Sequence, residues 1–207
     1  MKGGERKKQI LDAALKAFAE HGYERTSIAI ICEKAGIARP TLYQYFKDKR
    51  SLFRELLEGY LRGFHERIHA FHATADGGKQ GSRREAMNSL HLEMLNEASR
   101  NRDLFTIFTK EAKARNAETE DIVRGIYRAI VSEFVGEMRS EPTAAGIDAK
   151  ALEFAAVYTL GGTMQAIEYF LFDEEEKMTK EELAEMITMI ESRISGIDGH
   201  NGMKPAG

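Results

Sequence analysis

Apolar positions fall at helical spacing almost from the start of the chain. Between Arg6 and about Glu20, Ile10, Leu11, Ala14, Leu15 and Phe18 recur every three or four residues, which predicts a first helix. His21-Gly22 ends it, glycine taking the left-handed position. Thr26 and Ser27 offer N-cap hydroxyls to a short second helix over 28–35. Gly36 breaks that helix, and Pro40 stands where the first turn of a third helix tolerates it. This third helix, Arg39 to Tyr45, spans about two turns. Asp48 is the expected N-cap of a much longer helix with Phe53, Leu57, Tyr60, Phe64, Ile68 and Phe71 on one stripe. A glycine-containing loop over 76–82 follows, then helices over about 83–98, 102–114, 118–139, 149–172 and 179–195. No alternating run argues for a strand, so the expected fold class is all-α.

The two short helices joined by Gly36-Ile37-Ala38 have helix-turn-helix spacing. Ile28, Ile31, Ala35, Ile37 and Leu42 can pack inside, and the second helix of the pair can then enter a major groove. Its outward residues suit nucleic acid: Arg39 can bond guanine bidentately, and Thr41 can touch a base edge or a thymine methyl. Many bundles that bind no DNA share this spacing, so spacing alone leaves the function open.

Charge adds weight to the first quarter. The 207 residues carry a net charge of −3, yet residues 1–50 hold eleven Lys/Arg against six Asp/Glu, a local +5 over a remainder of −8. A basic module on an acidic body fits a polyanion partner. With 30% charged and 43% hydrophobic residues, the chain is neither a disordered acidic tail nor a membrane protein. One cysteine, Cys32, excludes an intramolecular disulfide and suits a reducing compartment. The charged start lacks an apolar h-region, so a cytoplasmic protein without a secretory signal is expected.

The strings Thr26-Ser-Ile-Ala, Ala35-Gly-Ile and Pro40-Thr-Leu-Tyr-Gln-Tyr-Phe-Lys-Asp-Lys-Arg-Ser-Leu52 closely resemble the N-terminal domain of the TetR family of bacterial transcriptional regulators. The resemblance covers about residues 6–55, and beyond it only length and helix count match. It implies a homodimeric repressor with a helix-turn-helix domain over 1–50 and a larger ligand-binding and dimerisation domain over 51–196; the glycine-rich composition after Gly196 predicts a disordered tail over 197–207. The first domain would bind a palindromic operator on double-stranded DNA, and the second a small-molecule inducer. Carried over position by position, the family's DNA contacts fall on Thr26, Ser27, Arg39, Pro40, Thr41, Tyr43 and Tyr45. Lys49 matches the family's phosphate-contacting lysine.

Other signals in the chain have plainer readings. His65-Glu66-Arg67-Ile68-His69 spells the zincin pattern on a helix, but no third ligand follows. A metallohydrolase on these residues, or a helical small-molecule-binding protein, is the alternative to a regulator; no enzyme, metal or cofactor is expected. The apolar stretch 151–172 carries Glu153, Gln165 and Glu168 on differing faces, which hydrocarbon would penalise. With 179–195 it resembles the family's four-helix dimer interface, with Gly162, Ala166, Ile187 and Ile190 as candidate contacts. Phe64, His65, Phe71, Met94, Phe108, Tyr127, Tyr158 and Gln165 are the candidate lining of an apolar ligand site, though most bulky residues of the body serve equally well as core.

Overall fold

The computed structural model describes residues 3–75, 80–140, 146–173 and 177–194, with the side chains of a few helix positions (64, 68, 69, 71–75, 80–83, 137, 140 and 194) left aside. The chain is all-helical among the described residues: α1 (Gly3–Arg25), α2 (Ile28–Ala35), α3 (Arg39–Tyr43), α4 (Lys49–Ala75), α5 (Gln80–Arg100), α6 (Arg102–Ala114), α7 (Glu120–Ser140), α8 (Ala149–Ala166), a π-helical segment π1 (Ile167–Phe172) and α9 (Lys180–Ile194). The expected tail over 197–207 lies outside the described residues. So do 76–79, most of the expected loop; its last residues, from Gln80, are already helical.

Compactness divides the chain into two units, Met1–Gly63 with Asn101–Arg128, and Phe64–Arg100 with Ala129–Gly207. The grouping differs from a cut at residue 50, because α6 and the start of α7 join the N-terminal helices. The core of the first unit is built from Ile10, Ala14, Ala17, Phe18, Ile31, Leu42, Leu52, Phe53 and Leu57, all buried. At its centre Phe18, Tyr23 and Phe53 form an aromatic triad. Phe18 stacks on Tyr23 at 5.6 Å, and Phe53 meets both rings edge-on, at 5.6 Å from Phe18 and 5.0 Å from Tyr23. Such pairs add about 0.5–1.5 kcal/mol each beyond the burial of their area.

The ends of these helices follow from local chemistry. Gly22 interrupts α1 with φ 76° and ψ 166°, a mirror-image extended conformation rather than the left-handed helical one expected. That region is essentially confined to glycine. Gly36 does sit in the left-handed helical region, at φ 60° and ψ 39°. Its N–H donates to Glu33 O and that of Ile37 to Cys32 O, which satisfies the last carbonyls of α2. Asp48 caps α4 reciprocally: Ser51 N–H donates to Asp48 Oδ1 at 2.7 Å, and Asp48 N–H donates to Ser51 Oγ at 3.1 Å.

In the second unit α5 packs against α9. Leu95, Ala98, Leu183, Ala184 and Ile187 are buried, as are Leu152, Ala156 and Leu160 on one side of α8. Buried His91 bonds Thr188 Oγ1 through Nδ1 at 2.7 Å and lies 2.9 Å from Glu191 through Nε2. The single helix expected over 149–172 is in fact α8 followed by π1. No described helix is long and apolar enough to cross a membrane.

Candidate nucleic-acid interface

The helix-turn-helix forms where its sequence predicts, with α3 ending at Tyr43 rather than Tyr45. Ile31, Cys32 and Ala35 of α2 and Leu42 of α3 are buried, while Ile28 and Ile37 are half-buried. Burying Leu42 turns the rest of α3 outward: Arg39 and Pro40 are exposed, Tyr43 is 53% exposed, and Thr41 and Tyr45 are half-buried. Gln44 and Lys47, just past α3, are exposed as well. Gln44 was legible in the sequence as a residue able to read adenine, and its position supports adding it to the candidate contacts. Ser27 is exposed, and its Oγ accepts the N–H of Ile30 at 3.3 Å, capping α2.

Thr26, by contrast, is buried, and its hydroxyl lies 3.0 Å from Ala17 O and 2.7 Å from Gly22 O. A side chain enclosed in this way ties α2 to α1, and Ser27 supplies the cap. Cys32 is the small buried hydrophobe expected of it, and burial pushes its thiol pKa up.

Lys49 is engaged within the fold. Its Nζ donates to Tyr23 O at 2.9 Å and Glu24 O at 3.4 Å, and lies 4.1 Å from the centroid of the Tyr23 ring. A cation there satisfies carbonyls at the end of α1 and gains from the ring's negative face. Lys49→Ala is therefore expected to lower stability by about 1 kcal/mol, read as a lower midpoint in thermal denaturation. A lysine that touched only phosphate would leave the midpoint unchanged.

The residues named for ligand binding are divided between the two units. Phe108 is a core residue of the first unit, and Tyr127 is half-buried in the same unit. In the second unit Met94 is half-buried, Tyr158 is 65% exposed, and Gln165 is exposed. The side chains of Phe64, Phe71 and His69 lie outside the described residues. His65 is exposed, with Nδ1 3.0 Å from Glu133. Among the described residues no group of three His, Cys, Asp or Glu side chains could hold a metal ion.

The candidate interface residues separate into two kinds. Gly162 and Ile190 are exposed and Ala166 is half-buried, but Ile187 is buried within its own unit. The sequence pattern missed the larger apolar surface of α8, where Phe154 and Tyr158 stack outward at 6.2 Å. They are 70% and 65% exposed, and Val157, Tyr169, Met186 and Ile190 are exposed too. Their spacing along α8 and π1 was available in the sequence; the direction they face was not.

Residues 10–56 match the family model of the bacterial regulatory proteins, tetR family. The HTH-type transcriptional repressor ComR of Escherichia coli is 48% identical over 54 residues, which are 26% of this chain and 26% of that protein. The fatty acid metabolism regulator protein of Bacillus subtilis is 38% identical over 60 residues, 29% of this chain and 31% of that one. The chain thus matches these curated relatives over about a quarter to a third of their length. Solved structures extend the likeness in fold. A TetR-family transcriptional regulator from Bordetella parapertussis has a TM-score of 0.69 at 15% identity, over 92% of this chain and 94% of that one. The transcriptional regulator FadR from Bacillus subtilis, in complex with stearoyl-CoA, has a TM-score of 0.66 at 19% identity, over 88% and 96%. The chain is thus similar to the tetR family in the sequence of residues 10–56, and similar in fold over nearly its whole length to solved TetR-family regulators.

Proposed function

We propose that this chain is a transcriptional regulator that binds an operator in double-stranded DNA, acts as a repressor in the cytoplasm, and is released by a small, largely apolar effector. The observation that carries the reading is the α2–α3 pair, locked by Gly36 and buried Leu42 so that Arg39, Pro40, Tyr43 and Gln44 face outward. Ser27, Thr41, Tyr45 and Lys49 complete the proposed contact set, with Lys47 able to meet the backbone. The DNA-binding function is assigned to residues 1–50, and effector binding and dimerisation to 51–196.

Two recognition helices must stand about 34–36 Å apart to enter successive major grooves, so a homodimer on a pseudo-palindrome follows from this reading. The outward apolar residues of α8, π1 and α9 supply a surface for it. The effector's chemistry rests on the soft and aromatic side chains of the second unit and on the likeness to FadR, which holds stearoyl-CoA. Phe64, Phe71 and Met94 are its proposed contacts. Thermal denaturation with fatty acyl thioesters tests this, because a ligand of the folded state raises the midpoint by mass action.

Operator selection from random-sequence duplexes tests the function itself. Once an operator is in hand, Arg39→Ala is expected to weaken it by about 1–3 kcal/mol and to relax preference at one base position. Titration against operator and random DNA checks this: equal losses on both would remove the base-reading role of Arg39.

A further inference from the structure

The connection between α6 and α7 grips the DNA-binding helices on both sides of the α2–α3 pair. Thr119 is fully buried, and its hydroxyl donates to Glu111 Oε2 at 3.1 Å. Glu111 Oε1 lies 3.4 Å from the N–H of Tyr23. Burial, and next the Glu118 carboxylate, push the pKa of the Tyr23 phenol up. Asn116 Nδ2 reaches Glu24 at 3.4 Å. Tyr23 and Glu24 immediately precede the turn into α2.

On the other side of the pair, Arg50 Nε donates to Glu118 O at 2.8 Å and its Nη2 donates to Asp121 Oδ2. Arg54 stands 3.7 Å from the same carboxylate. Arg50 and Arg54 begin α4, which follows α3. The segment 116–121 therefore fixes the chain just before α2 and just after α3, although it lies far from both in sequence.

We propose that this connection, through Glu118 and Asp121, positions the recognition helix for DNA. The inference rests on the reading of α2–α3 as a DNA-binding module. Nothing in the known strings of that module includes these residues, because the first residue of the segment lies beyond position 115.

The sign of the effect makes the proposal testable. Glu118 and Asp121 are acidic, so as mere charges near a polyanion they oppose binding, and removing them should tighten DNA in general. As positioning residues they should do the reverse on the operator. Asp121→Ala and Glu118→Ala are expected to weaken operator binding threefold or more, with random DNA unchanged or bound more tightly. Asp121→Glu, which keeps the carboxylate within reach of Arg50, is expected to restore most of the operator affinity. Amide exchange supplies a readout that needs no DNA: residues 37–46 should exchange several-fold faster in both alanine variants than in the unmodified chain. Operator affinity equal to or tighter than that of the unmodified chain overturns the proposal. If the unmodified chain binds no duplex, the reading of the module fails, and unchanged exchange over 37–46 then overturns the positioning role separately.

Discussion

Aspartate at both Phe154 and Tyr158 is expected to give a folded monomer that binds operator about a hundred- to ten-thousand-fold more weakly than the unmodified chain. The two rings lie outward on α8, so charge placed there disturbs no core of the protomer. In a two-fold dimer the same stripe meets itself, and each introduced carboxylate would face apolar surface or another carboxylate. On the proposed reading DNA binding falls with the dimer, because two joined recognition helices would bind half-sites at high effective concentration, whereas monomers would bind each alone. Sedimentation of the variant, followed by operator titration, checks both parts. A variant that stays dimeric places the interface elsewhere, and a monomer that keeps full affinity removes the need for one. Ile187 is the wrong place for this experiment: it is buried in its own unit, and a charge there would attack the fold instead.

Phe53→Ala is the second large effect. Phe53 is fully buried and meets both other members of the aromatic triad. Its truncation removes area and ring contacts and leaves a cavity, a loss of about 3–5 kcal/mol. The thermal midpoint of the unit that holds α2 and α3 should fall by roughly ten degrees or more, and operator binding should fail near that temperature. Arg39→Ala, which changes an exposed side chain, should leave the midpoint where it was. Reading both variants by calorimetry separates loss of the module from loss of a contact. A Phe53→Ala midpoint within a degree or two of the unmodified chain would mean the triad does not hold the module together.

Much of the helix-turn-helix was legible because its determinants are local. Ser27, Gly36, Pro40 and Asp48 act on neighbours within four residues, and their chemistry fixes the ends of α2, α3 and α4 without help from the rest of the chain. Where partners are distant, the sequence was silent. Thr26 has a hydroxyl suited to capping, but the carbonyls of Ala17 and Gly22 take it. Lys49 has the charge for a phosphate, but the carbonyls of Tyr23 and Glu24 also lie within reach. Spacing marked Ile187 and Ile190 alike as apolar positions of one helix, and only packing against α5 makes one core and leaves the other surface. The same holds for two of the candidate ligand residues: Phe108 and Tyr158 are equally apolar as letters, but one lies in a core and the other faces out.

The switch from α8 to π1 was invisible for a different reason, since Ala151 to Phe172 is apolar nearly throughout and gives periodicity little to measure. Its six residues, Ile167–Phe172, form a wider coil, which in helices of this kind amounts to one residue inserted into an α-helical path. One residue of an α-helix turns everything beyond it by about 100°. Tyr169 and Phe170 lie inside the wider coil, so the azimuth of this aromatic pair is set by an insertion rather than by the identity of either ring. A one-residue deletion between 167 and 172 would restore a uniform helix and rotate the chain that follows it, without altering any side chain upstream. A single-codon gain or loss at this point would therefore re-aim one patch of surface while α2 and α3 stay untouched.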